Sequence, residues 1–143
     1  MKLSVIIVSW NVNNLLRKCL ESLYKNPPTC RFEVIVIDNA SSDHSCQMVK
    51  ELFPKAILIE NARNLGFSCA NNQGIRRSGG EFLLILNPDT EVLPGSLDLL
   101  ISFLENNAKT GAAAPKVLNP DLTLQKSVMG FPEIGRASCR ERV

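Results

Sequence analysis

The chain is short of several residues and patterns that catalysis and binding often use. Its 143 residues include one histidine, one tryptophan and one tyrosine. A histidine-based metal centre or His/Asp relay therefore has little to draw on. His44 has no acidic or cysteine partner in local sequence that would make it catalytic, and it reads as a surface residue in a first helical turn. Five cysteines occur (Cys19, Cys30, Cys46, Cys69 and Cys139), with no C-x-x-C pair. They predict reduced thiols in a cytoplasmic setting rather than a disulfide frame or a zinc site. Cys69 reads as a small apolar filler rather than a nucleophile. Charge of one sign is also scarce: the net is +2, and no Lys/Arg run precedes the last few residues, which argues against nucleic acid as partner. No apolar run approaches membrane-spanning length. Met1 to Val8 is apolar, but Ser9, Trp10 and Asn11 cut it short, so no signal peptide is read there. No G-x-G-x-x-G follows the first apolar run, which disfavours a dinucleotide-binding oxidoreductase. A glycine-rich basic loop for a triphosphate is missing there too, which disfavours a nucleotidyltransferase.

What is present is an ordinary globular composition, 45% apolar and 21% charged, enough to bury one core. Apolar runs at Leu3–Val8, Phe32–Ile37, Ala56–Ile59, Phe82–Leu86 and Ala112–Val117 read as strands. Helical spacing lies between them. The first helix, carrying Leu15, Leu16, Cys19, Leu20 and Leu23, is expected to be capped by Asn13 or Asn14 and stopped at Asn26-Pro27-Pro28. A second is expected over about Asp43–Phe53, with Ser41 and Asp43 capping it, a third over Phe67–Arg77 and a fourth from Pro94 to about Asn107. Asn119-Pro120-Asp121 reads as a turn before a short strand or hairpin. Alternating strands and helices predict an α/β fold, with a mostly parallel sheet and helices on both faces.

Residues 133–143 break with this pattern. They have no apolar period and match, residue for residue, the translation of a common short-read sequencing adapter. The expectation is that the native sequence departs near Pro132 and that this tail is read-through, to be left out of fold reasoning. Without its three arginines and two glutamates the net charge falls to about +1, so no basic tail needs a function.

Three apolar strands end in polar clusters: Ser9-Trp10-Asn11, Asp38-Asn39 and Asn87-Pro88-Asp89. In a parallel sheet these ends share one edge, where ligands of open α/β sheets bind. Asp89 is the candidate metal ligand, since a carboxylate suits a hard Mg²⁺ or Mn²⁺ with phosphates and water completing the shell. The plainer role is closing a turn after Pro88. Asn87 offers a carbonyl oxygen to the metal or an amide to a ribose. Asp38 is a candidate for binding a nucleobase or ribose, against simple helix capping. Asn64-Leu65-Gly66-Phe67 and Ala70-Asn71-Asn72-Gln73-Gly74 form an Asn/Gly cluster in which Asn64 and Asn72 are candidate sugar or phosphate ligands, with turn chemistry as the alternative. Arg63 either reaches a phosphate or is solvated. Trp10 either stacks on a base or packs.

At these residues the chain resembles the N-terminal half of family 2 glycosyltransferases with the GT-A fold. Ser4-Val5-Ile6-Ile7-Val8-Ser9-Trp10-Asn11 is similar to the family's opening strand, and Val36-Ile37-Asp38-Asn39-Ala40-Ser41-Ser42-Asp43 to its nucleoside-binding turn. Asn87-Pro88-Asp89 stands where the family places its metal-binding D-x-D. Asn64 to Ile75, with Leu86 to Val92, resembles the rhamnosyltransferase-like branch, which builds bacterial surface polysaccharide. The resemblance covers residues 1–132 and implies the nucleotide-sugar-binding part of a GT-A domain. It implies nucleotide contacts at Ser9, Asn11, Asp38, Asn39, Asn64, Asn72 and Asn87, and a Mg²⁺ or Mn²⁺ on Asp89.

The implied reaction is inverting transfer from a nucleotide sugar, dTDP-L-rhamnose being one guess, to a saccharide or lipid-linked acceptor. A carboxylate base would deprotonate the acceptor hydroxyl while the metal steadies the leaving diphosphate. The implied location is cytoplasmic, with peripheral association of the full-length protein at the inner face of the membrane. Two departures stand out. Asn87 replaces the first Asp of D-x-D, and the family's catalytic base lies further along than this chain extends. The fragment is thus expected to be inactive alone, with an exposed sheet edge and an apolar patch where the missing part belongs. The competing reading is a non-catalytic nucleotide- or sugar-binding module on the same scaffold.

Overall fold

The computed structural model describes residues 1–125. Four strands, β1 (Leu3–Ser9), β2 (Phe32–Asp38), β3 (Ile57–Glu60) and β4 (Phe82–Leu86), form one sheet in the order β3-β2-β1-β4, every pair parallel. Four helices connect and follow them: α1 (Asn13–Lys25), α2 (Ser45–Leu52), α3 (Phe67–Arg77) and α4 (Ser96–Asn106). This is the doubly covered α/β architecture that continuous Val/Ile/Leu runs require, because strands buried on both faces have no polar side to show.

Residue parity along the strands divides the core. Leu3, Val5 and Ile7 of β1, with Val34 and Val36 of β2, point to one face and pack with Leu16, Cys19, Leu20 and Leu23 of α1, Met48 and Val49 of α2, and Leu97 and Ile101 of α4. Ile6, Val8, Ile35 and Ile37 point to the other face, where Ala70 of α3 meets them. Small residues bring α3 close: a Cβ on Gly74 would lie 2.5 Å from Ile6 Cγ2. Helix α3 does not reach β4, so Leu83 and Ile85 on that face are each 44% exposed.

The structure departs from expectation at several boundaries. Helix α1 begins at Asn13 without a side-chain cap from Asn13 or Asn14; its first amide is instead held by Asp43, thirty residues away. Helix α2 starts at Ser45, after His44 in the left-handed region (φ 63°). Pro94 does not open α4. A turn at 93–96 with Gly95 at φ 72° intervenes, because Ser96 N–H and Oγ both return to the Leu93 carbonyl. Residues 112–117 form no strand and pair with neither open edge of the sheet; only a small antiparallel bridge, Leu118 to Leu124, closes the turn at 119–122. The tail at 133–143 lies outside the described residues.

Candidate functional site

The register of the sheet decides which residues meet. Ser9 and Asp38 are partners at the carboxyl ends of β1 and β2, and their side chains lie on the α1/α2 face. Strand β4 runs on the other side of β1, with Ile7 opposite Leu86, so Asn87-Pro88-Asp89 continues to the same rim. Strands β2 and β4 stand two strand spacings apart, roughly 10 Å, so Asp38 and the turn carrying Asp89 share one edge of the sheet. The turn carrying Asp89 sits above α1: the Cys19 thiol donates to the Asn87 carbonyl at 3.6 Å. Burial and, after it, the nearby Asp89 carboxylate push that thiol up to about 12. Ser22 of α1 and Asn26, just after that helix, hold Val92 at 2.8 and 2.9 Å, fixing the segment that follows.

Asp38 is 2% exposed. Its Oδ2 accepts the Ser41 amide at 2.8 Å, while its Oδ1 has no partner. The Ser9 hydroxyl beside it is also buried and unpartnered. Two adjacent buried oxygens without partners are costly unless something is to bond with them. No ion pair consumes Asp38 among the described residues; the half-buried Cys46 thiol lies near it. Burial first, then Asp38 and Glu60, push Cys46 up to about 12.

The other candidates divide. Asn39 is buried and structural: its N–H bonds the Ser9 carbonyl, and its amide oxygen receives Asn61 Nδ2 at 2.9 Å. Asn11, left-handed at φ 54°, accepts the Ser42 N–H at 2.8 Å. Asn64 makes a turn, accepting the Gly66 N–H at 2.8 Å. Asn72, Asn87 and Asp89 are exposed, and none makes a side-chain hydrogen bond among the described residues. Arg63 is exposed, His44 is exposed at the start of α2, and Trp10 is 55% exposed at the rim. Helix α3 begins at this same rim, where Asn39 Nδ2 approaches the Gly66 carbonyl at 3.4 Å.

Asn71 was missed by the sequence reading. It is 7% exposed, donates to the Phe67 carbonyl at 3.0 Å and leaves its own oxygen unpartnered. The signal was its place in a helix stripe of small residues, Ala70 and Gly74, where an amide is out of character. Asn61 and Gln73 were also missed; they exchange two 2.9 Å amide bonds that brace the loop at 61–66.

The rim offers a metal the exposed Asp89 carboxylate. No cluster of three or more acidic, cysteine or histidine groups exists among the described residues. Asp89, exposed and unpaired, fits a Mg²⁺ or Mn²⁺ that takes one protein carboxylate and draws its remaining oxygens from phosphates and water. It does not fit an all-protein cage.

The sequence pattern described as "Glycosyl transferase family 2" matches residues 4–130. The chain belongs to glycosyltransferase family 2. Among its relatives, an uncharacterized glycosyltransferase of Escherichia coli, YibD, is 36% identical over 104 residues, covering 71% of this chain and 30% of that protein. The N-acetylglucosaminyl-diphospho-decaprenol L-rhamnosyltransferase of Mycobacterium tuberculosis is 27% identical over 94% of this chain and 47% of its own length. Among solved structures, a mannosyltransferase from Pyrobaculum calidifontis in complex with GDP-Man and Mn²⁺ superposes with a TM-score of 0.67 at 27% identity, over 81% of this chain and 33% of that one. The fold is that of the GT-A glycosyltransferases. This chain spans less than half the length of these relatives. No described helix is long and apolar enough to cross a membrane.

Proposed function

We propose that this chain is the donor-binding part of an inverting, metal-dependent family 2 glycosyltransferase, one that moves a sugar from a nucleotide-sugar donor to a saccharide or lipid-linked acceptor in bacterial polysaccharide synthesis. The observation that carries this reading is the meeting of Ser9, Asp38 and Asp89 on one rim, with two buried oxygens lacking partners at one end and a free carboxylate at the other. A nucleoside diphosphate has matching chemistry: polar base and ribose edges at one end, and anionic oxygens that need a cation at the other.

In this reading Ser9 and Asp38 bond the nucleoside, and Asn72 and Asn87 take the sugar or phosphate. Asn39 and Asn64 shape the loop beneath, and Asn11 stands behind Asp38. Asp89 holds the divalent cation, whose charge offsets that of the departing diphosphate. The base that activates the acceptor hydroxyl is not among the described residues. L-rhamnose as the donor sugar, with dTDP as its carrier, is supported by the name of the mycobacterial relative and by the Asn64–Ile75 and Leu86–Val92 motifs. That relative's name also supports a lipid-linked acceptor, and with it attachment of the whole enzyme to the cytoplasmic face of the membrane. The Mn²⁺ and GDP-Man of the mannosyltransferase support the cation.

Calorimetric titration of the chain with UDP and dTDP, with and without Mn²⁺, tests the reading. The expected result is binding that Mn²⁺ tightens, and an Asp89→Ala variant in which the Mn²⁺ effect disappears. A folded chain that binds neither nucleotide at any Mn²⁺ concentration overturns it in favour of a non-catalytic module.

A further inference from the structure

The turns that follow β1 and β2 are fastened to each other by a reciprocal set of hydrogen bonds. Asp43 is at its centre. One carboxylate oxygen, Oδ2, accepts the Asn13 N–H at 2.8 Å, and the Asn13 amide returns a bond to the Asp43 carbonyl at 3.2 Å. The other, Oδ1, accepts the Ser45 hydroxyl at 2.6 Å and the Ser45 N–H at 3.1 Å. One side chain therefore satisfies the open N-termini of both α1 and α2, where negative charge is also favoured by the helix dipoles. Two residues back the same pattern repeats: Asn11 Oδ1 accepts the Ser42 N–H at 2.8 Å, and the Asn11 N–H donates to Ser41 Oγ at 2.9 Å. Asn11, Ala40 and His44 all adopt left-handed backbone to make these contacts, with φ of 54°, 64° and 63°. Three such residues in two short turns carry strain that the bonds must outweigh.

The product of this fastening is the placement of Ser41. Its N–H bonds Asp38 Oδ2 at 2.8 Å, which turns the carboxylate so that Oδ1 is the oxygen left without a partner, next to the unpartnered Ser9 hydroxyl. We propose that Asp43, assisted by Asn11, is a positioning residue for the nucleotide site: it locks the second turn onto the first and so holds the Ser41 amide against Asp38. This rests on the donor-binding reading above. Neither residue touches the ligand in this account; they prepare Asp38 in advance, so that binding does not have to order the turn. Asp43 keeps its charge readily. Burial raises its pKa, but the bonds from the Ser45 hydroxyl, the Asn13 N–H and the Ser45 N–H outweigh that and leave it below 3.8.

The test uses the chain as it stands, with wild type, D43N, D38A and the double variant. Amide hydrogen exchange is read at Ser41, Ser42 and Ser45, and Kd for UDP or dTDP with Mn²⁺ by titration. In D43N the side chain keeps only one acceptor oxygen, so its NH2 meets either the Asn13 or the Ser45 N–H donor to donor, and the clasp opens. Exchange at Ser41 and Ser42 should rise together with that at Ser45, and Kd should weaken about tenfold, the effect of one lost charge-assisted hydrogen bond. In the D38A background D43N should change Kd by less than about twofold, because it acts through Asp38. The proposal is overturned if exchange rises at Ser45 alone, if folded D43N binds as tightly as wild type, or if its penalty is the same without Asp38. Faster association with tighter binding also overturns it, since the clasp would then be a cover and not a support. Should D43N fail to fold, N11G removes the Ser42 acceptor while relieving the left-handed strain, and N11D restores the acceptor; loss in the first and rescue in the second is the expected pair. If wild type binds no nucleotide, the donor reading falls, and the exchange data still judge the clasp.

Discussion

Replacing Gly74 by alanine should destabilise the protein even though it improves the helix. Gly74 lies in α3 over the buried faces of Ile6 and Ile37. A new methyl carbon would stand 2.5 Å from Ile6 Cγ2, 2.9 Å from Ile37 Cδ1 and 3.4 Å from Ile6 Cγ1. The Ile37 contact is with the far end of a side chain and can relax. The Ile6 contact is with a methyl on the β-carbon of a central strand residue that is 0% exposed, and it can yield only if α3 lifts or χ1 leaves its well. Overpacking of this kind costs about 1–3 kcal/mol, and a 2.5 Å contact belongs at the top of that range. Alanine returns about 1 kcal/mol of helix propensity. The net loss is therefore about 2 kcal/mol, which at a urea slope of about 2 kcal/mol per molar lowers the denaturation midpoint by about 1 M. The decisive arm is the Ile6→Ala background. That change alone costs about 2–5 kcal/mol, but it removes the obstructing methyl, so Gly74→Ala should there become stabilising by about 1 kcal/mol. The resulting coupling of about 3 kcal/mol is what a direct contact produces. If Gly74→Ala stabilises wild type, or has the same effect in both backgrounds, the close approach of α3 to β1 is wrong.

Two further outcomes follow from Glu33 and from the cysteines. Glu33 accepts the Ser4 hydroxyl at 2.6 Å and the Gly79 N–H at 2.8 Å. Burial raises its pKa, but those bonds, with the Arg77 charge, hold it below 4.5. A carboxylate depressed in the folded state adds stability that is fully present above its unfolded value and is lost as pH falls through the folded one. Urea midpoints should therefore drop from about pH 4.5 downward, and Glu33→Gln should flatten that drop; an unchanged acid limb would contradict the assignment. Among the thiols, Cys19 is buried and pushed up to about 12, whereas Cys69 is exposed. At pH 8 a maleimide should label Cys69 in the native protein and reach Cys19 only in denaturant, as read by peptide mass; early labelling of Cys19 would mean that the turn at 87–90 is not seated on α1.

The four runs that became β1 to β4 were legible because a wholly apolar stretch of Val, Ile and Leu has few other places to go than a sheet covered on both faces. Helix α3 was placed to the residue, with Gly79-Gly80 marking its end. The candidate fifth strand at 112–117 was misread: an apolar run becomes a strand only where it docks along a sheet edge, and this one pairs with neither β3 nor β4. Helix starts were misplaced for a related reason: the cap of α1 is Asp43, a residue that no local window around Asn13 contains.

Local composition thus determined the layer order, the parallel sheet and the rim on which Ser9, Asp38 and Asp89 gather, because strand polarity and residue parity follow from the chain alone. Only the tertiary structure decided what each polar residue at that rim does. Asn11 and Asp43 spend an oxygen each on distant backbone N–H groups and Asn39 spends its own on the Asn61 side-chain amide, while Ser9 and Asp38 keep one each in reserve. Hydrogen-bond partners separated by about thirty residues are set by how two loops meet in space, and one-dimensional spacing carries no record of that.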